Sequence, residues 1–218
     1  MIAAAGDNAA SSPGNGIARM VATDGTAAHR FPARLAERMP PPQDVADTLH
    51  QLAGLHARHP GVVGHALRGA AGDLAGPWLR TAAAAFADER GYLVRLAAAA
   101  GPAPSTPGHA AAEAAMSAQR HAVDLLAQSA RPGCAIGTAA ALVLDWPAIR
   151  LPLDRAALRL GIEPLESALP TAIETVRLID LLARDAVPVR AMTFGVQQLL
   201  AQHRGLWDLL EARADARG

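Results

Sequence analysis

The chain has no lysine, and all twenty of its basic residues are arginine. Schiff-base chemistry needs a lysine amine and the P-loop needs Gly-Lys-Ser/Thr, so both classes are excluded. A GC-rich coding sequence explains the bias, and the chemical consequence holds whatever the cause. One cysteine, Cys134, leaves no internal disulfide, Cys-x-x-Cys redox pair, Fe–S cluster or all-cysteine zinc site. It stands in an apolar stretch and reads as a small, inert core residue. Aromatics are 3% of the chain and β-branched residues are sparse, whereas alanine is roughly a quarter, which favours helices over sheets. Neither sign of charge is in excess and no basic block occurs, so nothing points to nucleic acid or an anionic membrane. The start, Met1-Ile-Ala-Ala-Ala-Gly-Asp7, lacks the basic and long apolar regions of a secretory signal, and a cytoplasmic setting is expected.

What the chain does have is apolar bulk. Its 218 residues, 51% apolar, can bury one sizeable core. The organising stretch is Pro132–Trp146, which carries no charge before Asp145 and no polar face at any helical register. It is shorter than the roughly 20 residues that a membrane span needs, so it reads as a central helix buried in protein. Gly133, Gly137 and Ala141 recur every four positions, which allows a neighbouring helix to approach closely.

The rest arranges itself around that stretch. Residues 1–42 are rich in Gly, Ala, Ser and Pro, close in three prolines, and read as a disordered or weakly structured tail with a short helix at Arg34–Arg38. Gly14-Asn15-Gly16 opens like a dinucleotide loop, but Arg19 stands where the third glycine belongs and no strand precedes it. Periodicity predicts helices over Gln43–Arg58, Val62–Arg68, Gly76–Gly101, His109–Ala130, Asp154–Leu160, Leu169–Ala183 and Pro188–Arg213. Pro147 should end or kink the central helix. The expected fold is all-α: a single bundle of four to five long helices in residues 43–218.

Polar residues that interrupt apolar stripes are the candidate site. Glu89 interrupts Leu79, Ala82, Phe86, Leu93 and Leu96; Gln119 interrupts Ala112, Met116, Val123 and Leu126; His203 interrupts Met192, Val196, Leu199, Leu206 and Leu210. The helix at 169–183 offers Glu174, Arg177 or Asp180 as a fourth member. Three mid-height polar groups predict one buried layer that fixes packing register or receives a ligand. A di-iron site would need Glu-x-x-His on two helices, and the chain has none; the residue three after Gln119 is Ala122. His121-x-x-Asp124 has ligand spacing but lies off the inward stripe. His50, His56, His59 and His65 cluster near a helix end, where an imidazolium suits the helix dipole. His109 and Glu113 share an outer face. Ser117 has only His121 within reach and no oxyanion turn, and neither His-Glu-x-x-His nor Gly-x-Ser-x-Gly occurs. No metal, cofactor or catalytic residue is assigned.

The segments Gly133-Cys-Ala-Ile-Gly-Thr-Ala-Ala-Ala-Leu-Val-Leu-Asp-Trp146 and Gln202-His-Arg-Gly-Leu-Trp-Asp-Leu-Leu-Glu211 resemble those of uncharacterised bacterial alanine-rich helical proteins. The likeness covers residues 43–213 at the level of helix order and implies a ferritin-like outline without the family's metal motif. The expected function is that of a non-catalytic bundle binding a partner, such as a second copy or another protein, or a small ligand. The alternative is a metal-dependent enzyme or carrier using Glu89, His203 and either His121 or Glu174.

Overall fold

The computed structural model describes residues 12–37, 39–70, 74–184 and 187–217. These form an all-α fold of nine helices: α1 (Pro13–Asp24), α2 (Arg30–Ala36), α3 (Pro42–His56), α4 (Val62–Ala70), α5 (Gly76–Ala99), α6 (His109–Ala127), α7 (Cys134–Arg159), α8 (Ala172–Arg184) and α9 (Val189–Asp215). A 3₁₀ turn, Thr26–Ala28, joins α1 to α2. No strand occurs among the described residues.

Helix α7 is the buried centre. Gly133 caps its start at φ 90°, a left-handed conformation that favours glycine, and a Cβ there would press on Met192 and Val187. Its small residues do let a neighbour in. A side chain on Gly137 would strike the backbone of Met192, and one on Gly195 the Cys134 carbonyl, so α7 and α9 cross almost backbone to backbone. By length and composition α7 could cross a membrane, but 72% of its most apolar window is buried within the protein.

Pro147 does not end the helix. It runs 26 residues, through Pro147 and Pro152, to Arg159, absorbing the separate Asp154–Leu160 helix expected from the sequence. Each proline deletes one backbone donor, a loss that packing on every side can offset.

The expected tail is also different. Over Pro13–Asp24 and Arg30–Ala36 it is helical and packed, with Ile17, Val21, Phe31 and Leu35 in the core; residues 1–11 lie outside those described. The Ser12 hydroxyl caps α1 by accepting from the Asn15 amide at 3.2 Å, and Pro13 opens the helix where its missing N–H costs nothing. Helix α1 lies mainly on α8, where the Gly14 amide donates to Asp180 at 2.8 Å, and α2 lies on α7. The short helix expected at Arg34–Arg38 is instead Arg30–Ala36, and Arg38 lies outside the described residues. Helix α8 is one-sided: Thr175, Leu178, Ile179 and Leu182 are buried while Ile173 and Leu181 face solvent.

Candidate functional site: two polar networks on the central helix

Asp145 follows the apolar run of α7, one turn before Ile149, and its carboxylate is buried. It accepts from the Thr26 amide at 2.8 Å, the Thr26 hydroxyl at 2.7 Å and His203 Nδ1 at 2.6 Å. The indole of Trp207 donates to the Thr26 hydroxyl at 3.0 Å. Gly25 makes the approach possible, because a Cβ there would meet the Val21 carbonyl and the Asp145 carboxylate. Burial by itself would raise the Asp145 carboxyl, but the His203 and Thr26 bonds outweigh it and hold the group below the ordinary carboxylate range.

On the other side of His203 stands His56, also buried, with ring centroids 5.1 Å apart in an edge-to-face contact. The same ring meets Trp146 edge-on at 5.4 Å. Burial pushes His56 well below its ordinary 6.5, and charge on His203 adds to the effect, so His56 is held neutral. Among the described residues, His56 Nε2, His203 Nε2 and the Trp146 indole nitrogen have no hydrogen-bond partner. This first network ties the N-terminal segment, α3, α7 and α9 together.

The second network begins one turn further along α7. Arg150 donates from one terminal nitrogen to both oxygens of Glu89, each at 2.9 Å. Its Nε donates to Asp154 Oδ1 at 3.0 Å, and its other terminal nitrogen serves Asp154 Oδ1 at 2.8 Å and the Leu165 carbonyl. Tyr92 donates to the same Asp154 oxygen at 2.9 Å and lays its ring 4.7 Å from the guanidinium carbon. Ser167 donates to Glu89 at 2.9 Å. Burial, then the Asp154 bond, pushes the Tyr92 phenol up. Burial opposes the charge on Arg150, but Asp154 and Glu89 outweigh it and raise its pKa.

Beside this network lies a solvent-open cavity of about 440 Å³, between α7 and the connection to α8. Its apolar wall includes Val143, Leu144, Pro147, Leu165 and Leu169, and its polar wall is Arg150, Asp154, Ser167 and Thr171.

The expected single layer is therefore divided. Glu89 and His203 are both buried, but Glu89 pairs with Arg150 and His203 with Asp145, and they share no partner. Gln119 is half-buried and donates weakly to the Gln202 carbonyl at 3.4 Å. Glu174 is exposed and forms a capping box with Thr171, accepting from its amide at 2.7 Å while its own amide donates to the Thr171 hydroxyl at 3.2 Å. His121 is exposed on α6. The partners Asp145, Arg150, Asp154, Tyr92 and Thr26 escaped the sequence reading, and His56, read there as suited to a charged helix end, is instead buried and held below its ordinary range. Arg150 and Asp154 carry a visible signal, an i, i+4 pair, hidden by taking Pro147 as a helix end. No set of three or more His, Cys, Asp or Glu among the described residues is placed to hold a metal ion.

The fold and these networks define an all-α protein whose central helix carries buried ion pairs to its neighbours and an open cavity beside one of them. The chain belongs to the family of unknown function DUF6975, whose model matches residues 21–218. No curated protein and no solved structure matches it.

Proposed function

We propose that this protein is a non-catalytic helical bundle that binds a small molecule in the cavity between α7 and the 162–171 connection. The observation that carries the reading is the cavity itself. Its volume of about 440 Å³ falls in the range of small-molecule sites, roughly 300–1,000 Å³, and a few polar groups converge on a mainly apolar wall. The residues expected to bear chemistry support this reading by being engaged within the protein: Glu89 is buried against Arg150, and His203 is buried against Asp145. A cytoplasmic setting and a ferritin-like outline go with it.

The test is a thermal-shift screen of the full chain against a panel of small neutral, anionic and cationic compounds, run beside Ala172→Trp. Ala172 is exposed at the rim, so the indole should fill the mouth and spare the core. A ligand at about 100 times its Kd should stabilise the wild type by about 2.7 kcal/mol and leave the variant unmoved. A panel without hits, or hits indifferent to Ala172→Trp, would sink the reading.

A second reading, association with another copy or another protein, draws on the groove between α6 and α9. Leu125 and Phe194 are exposed there beside a cavity of about 460 Å³. A concentration-independent monomer in sedimentation equilibrium would remove the self-association form of that reading.

A further inference from the structure

The wall of the cavity beside Arg150 has an unusual balance of donors and acceptors. A guanidinium has five N–H donors. Here four of the five have acceptors within the protein, one terminal nitrogen donating to the two Glu89 oxygens, the other to the Leu165 carbonyl and Nε to Asp154, while that second terminal nitrogen also lies 2.8 Å from Asp154 Oδ1 as an ion pair. The two hydroxyls on the wall are likewise engaged as donors, Ser167 to Glu89 and Thr171 to Glu174. The guanidinium and both hydroxyls already face carboxylates, which an incoming carboxylate or phosphate would have to displace; Trp146, also on the wall, has a buried indole N–H with no partner among the described residues.

Acceptors remain. The contacts that Asp154 receives from Arg150 and Tyr92 fall on Oδ1, and among the described residues no donor meets Oδ2 of this half-buried carboxylate. Val143 lies in the wall, and Pro147, four residues on, has no N–H to give its carbonyl. Two carboxylates, Glu89 and Asp154, face one guanidinium, which leaves the local charge negative. The chain between Arg159 and Arg177 adds Glu163, Glu166 and Glu174 and no basic residue. The same wall holds the apolar residues Leu144, Pro147, Leu165 and Leu169.

We infer that the cavity takes an organic cation: a primary amine on an apolar body, its ammonium donating to Asp154 Oδ2 and its body against the leucines. This rests on the ligand-binding reading above and adds the chemical class.

Isothermal titration of the full chain with three probes that share an indolylethyl body, tryptamine, tryptophol and indole-3-propionate, tests it. Tryptamine should bind at least about tenfold more tightly than the alcohol, as loss of one charge-assisted hydrogen bond implies, and the carboxylate should bind most weakly. Asp154→Asn should bring tryptamine down to the alcohol's affinity while the alcohol itself changes less than about twofold, since Asn keeps an oxygen for Tyr92 and Arg150. If that variant loses its fold, the ranking of the three probes on the wild type still decides. Equal affinities abolished by Ala172→Trp would overturn the cation and leave the cavity standing, as would tightest binding by the carboxylate. Binding by none of the three overturns the cation, and the neutral and anionic compounds of the thermal-shift panel then decide the cavity.

Discussion

At the scale of single residues, the Glu89–Arg150 and Asp145–His203 pairs of the central helix are buried, where removing one partner costs more than the pair contributes. Arg150→Met should destabilise by about 3–5 kcal/mol, because it strands Glu89 as an uncompensated buried charge. Adding Glu89→Leu should restore much of that loss, measured as a double-mutant cycle in urea. By contrast, Glu89→Leu and His203→Leu serve separate networks, and their costs should add within about 0.5 kcal/mol. Strong coupling between them would revive the single polar layer. Acidification has a definite sign here. The unfolded chain takes up the His56 proton near 6.5, while the folded chain refuses it until well below that value, so the unfolded state holds more protons in between. Stability should therefore fall as pH drops below about 6.5, by up to about 1.4 kcal/mol per pH unit, and His56→Leu should flatten that part of the curve. A melting temperature that is level from pH 7 to 5 in the wild type would contradict a buried neutral His56. The depressed Asp145 acts in the same direction at lower pH, its contribution being lost as pH falls through its folded value.

At the scale of elements, α7 sets how closely everything else packs. Ala141 is fully buried, so Ala141→Leu should overpack the centre and cost about 1–3 kcal/mol, read from the denaturation midpoint. Gly137→Ala should be at least as harmful, since the added methyl meets the Met192 backbone rather than a side chain that can turn away. An unchanged midpoint in either would place that face of α7 outside the close crossing with α9. The long helices 76–99, 109–127 and 189–215 were legible because their apolar residues repeat at three and four over several turns. The course of α7 through Pro147 was not. Local rules end a helix at an interior proline, and only the surrounding α3, α5 and α9 make continuation the lower-energy path.

At the scale of the whole molecule, the N-terminal segment is part of the structure. Thr26 spends its amide and hydroxyl on Asp145 and accepts from Trp207, while Ile17 and Phe31 fill the core. A chain beginning at Met39 would leave Asp145 with His203 alone and open an apolar face. It should lose several kcal/mol of stability, since a fully buried Ile or Phe side chain contributes about 1.5–3 kcal/mol. Unaltered thermal unfolding of that truncated chain would show that residues 12–37 dock without holding the fold.

By itself the sequence determined that this protein is all-α, that lysine and multi-cysteine chemistry is excluded, that residues 134–146 lie at the centre, and that Glu89 and His203 point inward. Each follows from composition or from a period within one helix, which is local information. What tertiary structure decided is which charge meets which. Glu89 and Arg150 are 61 residues apart, His203 and Asp145 58, and Thr26 and Asp145 119. A helical period states that a side chain faces inward but not what faces it, because that depends on the crossing of two helices. The same limit hid the packed segment 12–37: its few apolar residues are too sparse to form a core of their own, and they are buried only because α7, α8 and α9 supply the other wall.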